Sequence, residues 1–391
     1  MNGKRRLFIG LIIMSLVMLT GCWDYKDIEE TSVNLGLGLD LADPESNEIQ
    51  IKGENPVIMS TIQTMEPKQT SSGEGKIDYK NTSVTSNTLS KTIIEVALFN
   101  RGPLIGQHLK VTLIGEELAK RMNLRNLLSY LMRNSQIRLG STILCTKGTA
   151  RHLLEGDPKI QQSELPAFEI IDIANNYKHS LRMLEPMTYG LVGRFLASNQ
   201  SFLLPCIVKR NDEIVVEDAA VISGKNKRII GFLNDDEIAG VNWITGKKGG
   251  GLLNVYRKEG ETFSVKIYRM SGKITPHVEG NRISFDVSVK TEGYLIEDWI
   301  EQNDDEDPKL AERLEKEAVR RIIYQMRSAL YKMQKVYHTD VAGFGDALRI
   351  YDARLWQRIK KDWEDKWFPD VPIRISVDMN LQDFGVKTKD Q

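Results

Sequence analysis

The sequence predicts a multi-domain α+β protein in which mixed or antiparallel sheets are each packed with helices. Segments with the period-two alternation of strands come in runs, and segments with helical periodicity follow them in separate runs, without the strict alternation of a doubly wound fold. The chain is also long: 391 residues exceed what one typical core organises and suit two or three domains. With 41% hydrophobic and 27% charged residues, the composition is that of an ordinary globular protein.

The first segment is expected to leave before folding. Lys4, Arg5 and Arg6 form a basic start, and the 13 residues from Leu7 to Leu19 carry no charge. A membrane-crossing helix needs about 20 predominantly apolar residues, so this run is too short to serve as a comfortable span. Leu19-Thr20-Gly21-Cys22 then resembles the lipobox of bacterial lipoproteins. Small residues fit the peptidase, and the thiol of Cys22 supplies the sulfur for a diacylglyceryl thioether. Residues 1–21 are therefore read as a lipoprotein signal peptide, cleaved after Gly21, with S-diacylglycerol and N-acyl attachment at Cys22. The competing readings are an ordinary secretory signal with a chance cysteine and an uncleaved signal anchor.

Past the anchor, Val33, Leu35, Leu37 and Leu39 alternate with Asn34, Gly36 and Gly38, which predicts a half-exposed strand. A second strand is expected over 48–59. Residues 66–86, including Ser71-Ser72-Gly73-Glu74-Gly75, lack apolar periodicity and read as a long exposed loop. Ser90 is placed to cap a helix ending at Phe99, and residues 109–114 read as a strand. One or two helices fill 116–133 with Leu118, Leu124, Leu127, Leu128 and Leu131 facing inward.

Two apolar runs over 214–233 flank Ser223-Gly224-Lys225-Asn226-Lys227, a hairpin pattern, and the main domain boundary is placed just before it. This gives an N-terminal α+β region over 22–210 and a C-terminal one over 211–391, with a further division near 250 left open. Strands at 263–268, 273–278 and 283–295, separated by Ser271-Gly272 and Glu279-Gly280-Asn281, predict an antiparallel meander. Asp307-Pro308 then starts a long helix over 308–337, marked by Leu310, Leu314, Ile322, Met326, Leu330 and Met333, and terminal helices complete the chain.

The search for chemistry finds little. With 53 basic and 53 acidic residues the formal charge is zero, so no global field draws nucleic acid or acidic substrates. His108, His152, His179, His277 and His338 are scattered without ligand-pair spacing, so no metal site is expected. Thr245-Gly246-Lys247-Lys248-Gly249-Gly250-Gly251 misses the phosphate-loop spacing and reads as a mobile turn. The acidic run Asp304-Asp305-Glu306-Asp307 lacks the central glycine of a calcium loop and reads as a solvated helix cap. No Gly-x-Ser-x-Gly elbow is present, and no catalytic residue or cofactor site is expected. Cys145 and Cys206 each follow apolar residues and read as two buried thiols, with a single bridge in an exported protein as the alternative. Stripes of Leu330, Met333 and Val336 and of Trp356, Trp363 and Trp367 read first as core, with a partner or headgroup contact as the second reading.

Several motifs in order resemble one family. Gly21-Cys22-Trp23-Asp24 with Asp27-Ile28-Glu29, then Gly38-Leu39-Asp40, look like the mature start of the Ger(x)C spore germination lipoproteins. Leu113-Ile114-Gly115-Glu116-Glu117-Leu118-Ala119 is the clearest internal match, supported by Arg133 and by Thr146-Lys147-Gly148-Thr149-Ala150. Thr339-Asp340-Val341-Ala342-Gly343-Phe344-Gly345-Asp346, with Trp356 and Trp363, is similar to the family's C-terminal signature.

The resemblance implies three mixed domains and a role as the C subunit of a nutrient germinant receptor. It places the lipoprotein on the outer face of the spore inner membrane, beside a multi-spanning A subunit and a permease-like B subunit. Nutrient binding in the family is assigned to the B subunit, so this chain is expected to be a non-catalytic scaffold or accessory. The alternative is the solute-binding lipoprotein of a transport system, which calls for two doubly wound lobes. A lipid-anchored hydrolase would need a nucleophile and base that the sequence does not display.

Overall fold

The computed structural model describes residues 32–42, 56–68, 76–99, 104–156, 165–211, 213–247, 249–257, 261–280, 282–299 and 310–382. Cys22, the predicted signal peptide and the acidic run at 304–307 lie outside the described residues, as does most of the strand expected over 48–59.

The first half of the chain gives β1 (Ser32–Leu41), β2 (Ile58–Lys68), β3 (Lys76–Ser86), α1 (Leu89–Phe99), β4 (Leu104–Ile105), β5 (Val111–Gly115), α2 (Glu116–Arg121) and α3 (Leu124–Arg133). There follow β6 (Thr142–Thr146), α4 (Ala150–Glu155), α5 (Pro166–Asn175), β7 (Met187–Thr188), α6 (Tyr189–Ser198), β8 (Phe202–Arg210), β9 (Glu213–Ile222) and β10 (Ile229–Leu233). Their strands form one ten-stranded mixed sheet, ordered β10-β9-β8-β6-β5-β1-β2-β3, with β4 on β1 and β7 on β6. The four central strands β1, β5, β6 and β8 run parallel, and antiparallel strands flank them. Helices cover both faces. On one side α1, α2, α3 and α6 bury Val96, Leu118, Leu124, Leu127, Leu128, Leu131 and Val192 against the sheet. On the other, α4 and α5 bury Leu153, Leu154, Ala167 and Ile170.

Three expectations change here. Residues 76–86 are not a loop: β3 pairs antiparallel with β2 from Ile58↔Ser86 to Lys68↔Lys76. Its Thr, Ser and Asn side chains suit an edge strand that meets solvent, so the polarity of the segment concealed it. The first strand is not half-exposed, because Asn34 through Asp40 are all buried. Gly36 and Gly38 lie under the helices on the second face: a Cβ at 38 would sit 3.1 Å from Ala150 Cβ, and one at 36 would sit 2.9 Å from Leu154 Cδ2. Glycine marks a close approach there, not a solvent face. For α1, Thr88 rather than Ser90 supplies the cap, accepting from Lys91 N at 3.3 Å.

The second half gives α7 (Asp235–Thr245), β11 (Gly251–Tyr256), β12 (Thr262–Glu279), β13 (Arg282–Asp298), α8 (Leu310–Tyr331), α9 (Phe344–Tyr351), α10 (Ala353–Ile359) and β14 (Ile373–Gln382). A four-stranded sheet runs β11-β12-β13-β14, with β13 and β14 parallel. The expected break at Ser271-Gly272 is absent, since β12 continues through it for 18 residues. Gly272 instead lets the end of α7 press on the strand: a Cβ there would lie 2.6 Å from both Trp243 O and Ile244 O. The terminal helices are followed by β14, whose Ile373, Ile375 and Val377 alternate with polar residues and pack on the second core.

The division expected at 210/211 is crossed by hydrogen bonds. β8 and β9 pair from Phe202↔Ile222 to Arg210↔Glu213, so the 214–233 hairpin belongs to the first sheet. The change from one sheet to the next falls along α7, near the alternative division at 250. Among the described residues there are two sheets, and a three-domain division has to split the larger one. Helix α7 is the joint. Asn234 and Glu237 form a capping box at its start, and Gly246 ends it at φ +58°. Gly240 admits the backbone of α8 at Gln325, and Trp243 Nε1 donates to Gln325 Oε1 at 3.0 Å inside the core.

Candidate functional site

Two groups of buried polar residues gather the sequence motifs that stood out. In the first, β1 brings Asp40 to the start of α4. Its Oδ1 accepts from Ala150 N at 2.7 Å and its Oδ2 from Arg151 N at 2.9 Å, occupying donors that a helix start leaves open. Gly115, at the end of β5, sits against the same carboxylate, and a Cβ there would overlap Asp40 Oδ1. Gly38-Leu39-Asp40, Leu113 to Ala119 and Thr146 to Ala150, far apart in sequence, thus meet at one point. Burial pushes the Asp40 carboxyl above its usual range, against the two backbone hydrogen bonds and Arg151. Beside it, Lys147 pairs with Asp218 and stands 4.9 Å from the centre of the Phe232 ring.

The second group lies in the C-terminal signature. Asp340 accepts from Gly343 N at 2.8 Å, Phe344 N at 3.0 Å, Gly345 N at 2.5 Å and Trp363 Nε1 at 3.0 Å. Gly343 at φ +90° permits the turn, and Gly345 lets Trp356 lie on the backbone, where a Cβ would be 2.6 Å from its Cη2. Trp363 is buried among Phe285, Phe344, Trp356 and Phe368, with ring centres 5.6 to 6.1 Å from it where they pair. The tryptophan stripe is therefore core, with Trp356 and Trp367 partly buried at its edge.

Glu364 extends this group to the first sheet. Its Oε1 accepts from Asp340 N at 3.0 Å, and its Oε2 accepts from Ser201 Oγ at 3.0 Å at the head of β8. Ser201 Oγ in turn accepts from Gly224 N at 2.8 Å in the β9–β10 turn. Burial raises the Glu364 carboxyl to about 7, helped by the nearby Asp340 and Asp365 charges and opposed by its two hydrogen bonds. Asp340 is also raised, by burial first. Nearby, Tyr337 O–H donates to Phe232 O at 2.9 Å and accepts from Phe232 N at 3.1 Å, stitching β10 to the π-helical turn Lys332–Val336 that follows α8.

Asp40 and Asp340 are thus taken up by backbone and indole donors, an arrangement that holds backbone in place, while Glu364 joins a backbone N–H to the Ser201 hydroxyl. Among the described residues no three His, Cys, Asp or Glu side chains are grouped to hold a metal. The His277–Asp286 pair, 2.9 Å apart, is a cross-strand contact on the surface of β12 and β13. Cys145 and Cys206 face each other on adjacent parallel strands as free, buried thiols. Sequence reasoning found Asp40 and Asp340 as motif members but missed Ser201 and Glu364, which share no motif. The Asp340-x-x-Gly343 spacing of a side-chain turn is a local signal that could have found part of the second group.

The order of these motifs has counterparts in known proteins. Residues 24–209 match the spore germination protein N-terminal domain, and residues 217–385 match the C-terminal region of spore germination B3/GerAC-like proteins. Spore germination protein YndF of Bacillus subtilis (strain 168) is 33% identical, over 98% of this chain and 99% of its own length. The chain belongs to the Ger(x)C spore germination family. Spore germination protein B3 of the same organism is 26% identical over 97% of this chain and 98% of its own. The crystal structure of the GerBC protein shares the fold, with a TM-score of 0.58 at 21% identity, over 92% of this chain and all of that one. The two family regions meet at residues 210–216, within the β8–β9 hairpin, although the sheet is continuous there.

Proposed function

We propose that this chain is the lipid-anchored, non-catalytic C subunit of a spore nutrient germinant receptor, acting as scaffold or accessory to the membrane subunits. The observation that carries the reading is the full-length match to a spore germination protein at 33% identity. The geometry supports it: the polar groups of the internal motifs cap helices and join the two sheets, as expected of a protein that works by contact.

In this reading residues 1–21 are removed and Cys22 carries S-diacylglycerol and an N-acyl chain. Two or three chains give stable attachment where one would be marginal, since each buried CH₂ adds only about 0.8 kcal/mol. Among the described residues no helix is long and apolar enough to cross a membrane, so the anchor would supply the attachment. The protein would sit on the outer face of the spore inner membrane beside a multi-spanning A subunit and a permease-like B subunit. The anchor would raise its local concentration for both. We keep the main division at 210/211, where the two family regions meet, with a further division along α7, near residue 250.

Metabolic labelling with a palmitate analogue tests the anchor. The native chain is expected to take up label and Cys22→Ala to take up none; label surviving in the variant would sink the assignment. Saturable binding of a nutrient by the purified chain would favour the solute-binding alternative instead.

A further inference from the structure

One end of the large sheet combines exposed apolar side chains, exposed cations and the point where the chain enters from Cys22. We propose that this end, formed by the outer face and C-terminus of α1 together with the loop 134–140, lies on the lipid surface. The inference rests on the anchoring of Cys22 and adds which face of the protein meets the membrane.

The register fixes the place. Asn34 of β1 pairs with Thr64 of β2, which pairs with Lys80 of β3, and Lys80 Nζ donates to the carbonyl of Phe99 at 3.2 Å. The last residue of α1 therefore stands level with the first residues of β1. Strand β4, a few residues further on, pairs Leu104 with Ser32. The loop 134–140 reaches the same end. A Cβ at Gly106 would lie 3.2 Å from Ile137 Cγ1, and Leu139 precedes β6, which runs parallel to β1 through β5.

The side chains there are unusual for a protein surface. Helix α1 buries Leu89, Thr92 and Val96 against the sheet and turns Ile94, Leu98 and Phe99 outward, 67%, 78% and 65% exposed. Leu139 is 63% exposed. Ile94 and Leu98 share a helix face at i, i+4. Lys80, Arg133 and Arg138 are exposed at the same end, while Glu95 on the helix is paired with Lys91 at 3.4 Å. Apolar residues rimmed by cations are the composition of a surface that rests in the headgroup region of an anionic membrane.

The length of the lead-in agrees. Ser32 lies ten positions after Cys22, and a fully extended chain spans at most about 3.3–3.6 Å per residue, so β1 must start within roughly 35 Å of the lipid. The end of the sheet where β1 starts is thus the end the anchor holds nearest the bilayer.

The test uses the full lipidated chain in vesicles of phosphatidylcholine and phosphatidylglycerol that carry a doxyl-labelled quencher lipid. An environment-sensitive fluorophore is attached at Leu98→Cys, at Leu139→Cys or, as a control, at Glu117→Cys. Glu117 is 59% exposed in the first turn of α2, past the opposite end of β5. All three are surface positions whose substitution leaves the core intact. A surface helix seats its apolar face about 5–10 Å into the headgroup boundary, so quenching at 98 and 139 is expected about threefold stronger than at 117. Vesicle flotation with equal quenching at all three sites would overturn the proposed face and give it to a protein partner. Failure of the chain to float would overturn the anchoring reading, and this inference with it.

Discussion

Replacing Glu364 with glutamine isolates a pH-dependent part of the protein's stability. Burial raises this carboxyl from 4.5 to about 7 in the folded chain, whereas in the unfolded chain it titrates near its ordinary value. The folded state therefore holds the proton more tightly. The resulting stability is fully present below about pH 4.5 and is lost as pH rises through about 7. A shift of about 2.5 units at 1.36 kcal/mol each gives about 3 kcal/mol. At about 2–4 °C per kcal/mol for a unit of this size, the melting temperature should move by roughly 6–12 °C across that window. Asp340, Asp40 and Glu237 are shifted in the same direction by burial, so the native curve alone does not single out Glu364. The difference between native and Glu364→Gln does. Glutamine keeps an acceptor for Asp340 N and a group that can reach the Ser201 hydroxyl, so the joint stays hydrogen-bonded. Scanning calorimetry of both proteins from pH 4.5 to 8 should show the native protein losing about 3 kcal/mol relative to the variant. Parallel curves would refute the buried, proton-holding role of Glu364.

Asp40→Ala orphans two backbone N–H groups at the head of α4 and should cost about 2–4 kcal/mol, read as a lower urea midpoint; an unchanged midpoint would contradict the capping role. Tyr337→Phe removes both hydrogen bonds to Phe232 and should destabilise by about 1–3 kcal/mol; faster hydrogen exchange in β10 would be its signature. Cys145 and Cys206 should resist a thiol reagent in the native protein and give two equivalents in guanidinium, whereas a bridged pair would give none.

How far the sequence disclosed this fold can be judged element by element. The inward leucines of α2 and α3 and the regular spacing along α8 were legible because amphipathic helices write their burial into a 3.6-residue period. Glycine was the recurrent source of error. Gly36, Gly38 and Gly272 read as solvent face or turn, yet each marks a place where a helix approaches a strand, which depends on residues more than 25 positions away. Polar edge strand β3 resembled a loop because its backbone hydrogen bonds run to β2 and its largely polar side chains, most of them half-buried, carry no apolar alternation. Strand β14 carries the alternation Ile373, Ile375, Val377, but the helical pattern just before it extends the expectation of helix to the end of the chain.

The sites show the same split. Asp40 and Asp340 stood out as members of short motifs, but their roles came only with the fold. Each carboxylate meets donors brought to it by chain topology: Ala150 and Arg151 lie more than 100 residues from Asp40, and Trp363 lies 23 residues from Asp340. Ser201 and Glu364 are separated by 163 residues and had no local pattern at all. Their contact, together with α7, couples the two sheets. This makes the described domains one candidate contact body, held near the bilayer by Cys22 in the proposed reading.

Confinement by that anchor is the central claim, and spores test it directly. The measurement is the rate of nutrient-triggered germination in spores whose only copy is a secreted, unlipidated form, with an ordinary secretory signal in place of residues 1–22, present at native abundance. A rate far below that of spores carrying the lipidated protein is the expected result. Full restoration of the native rate would contradict the account.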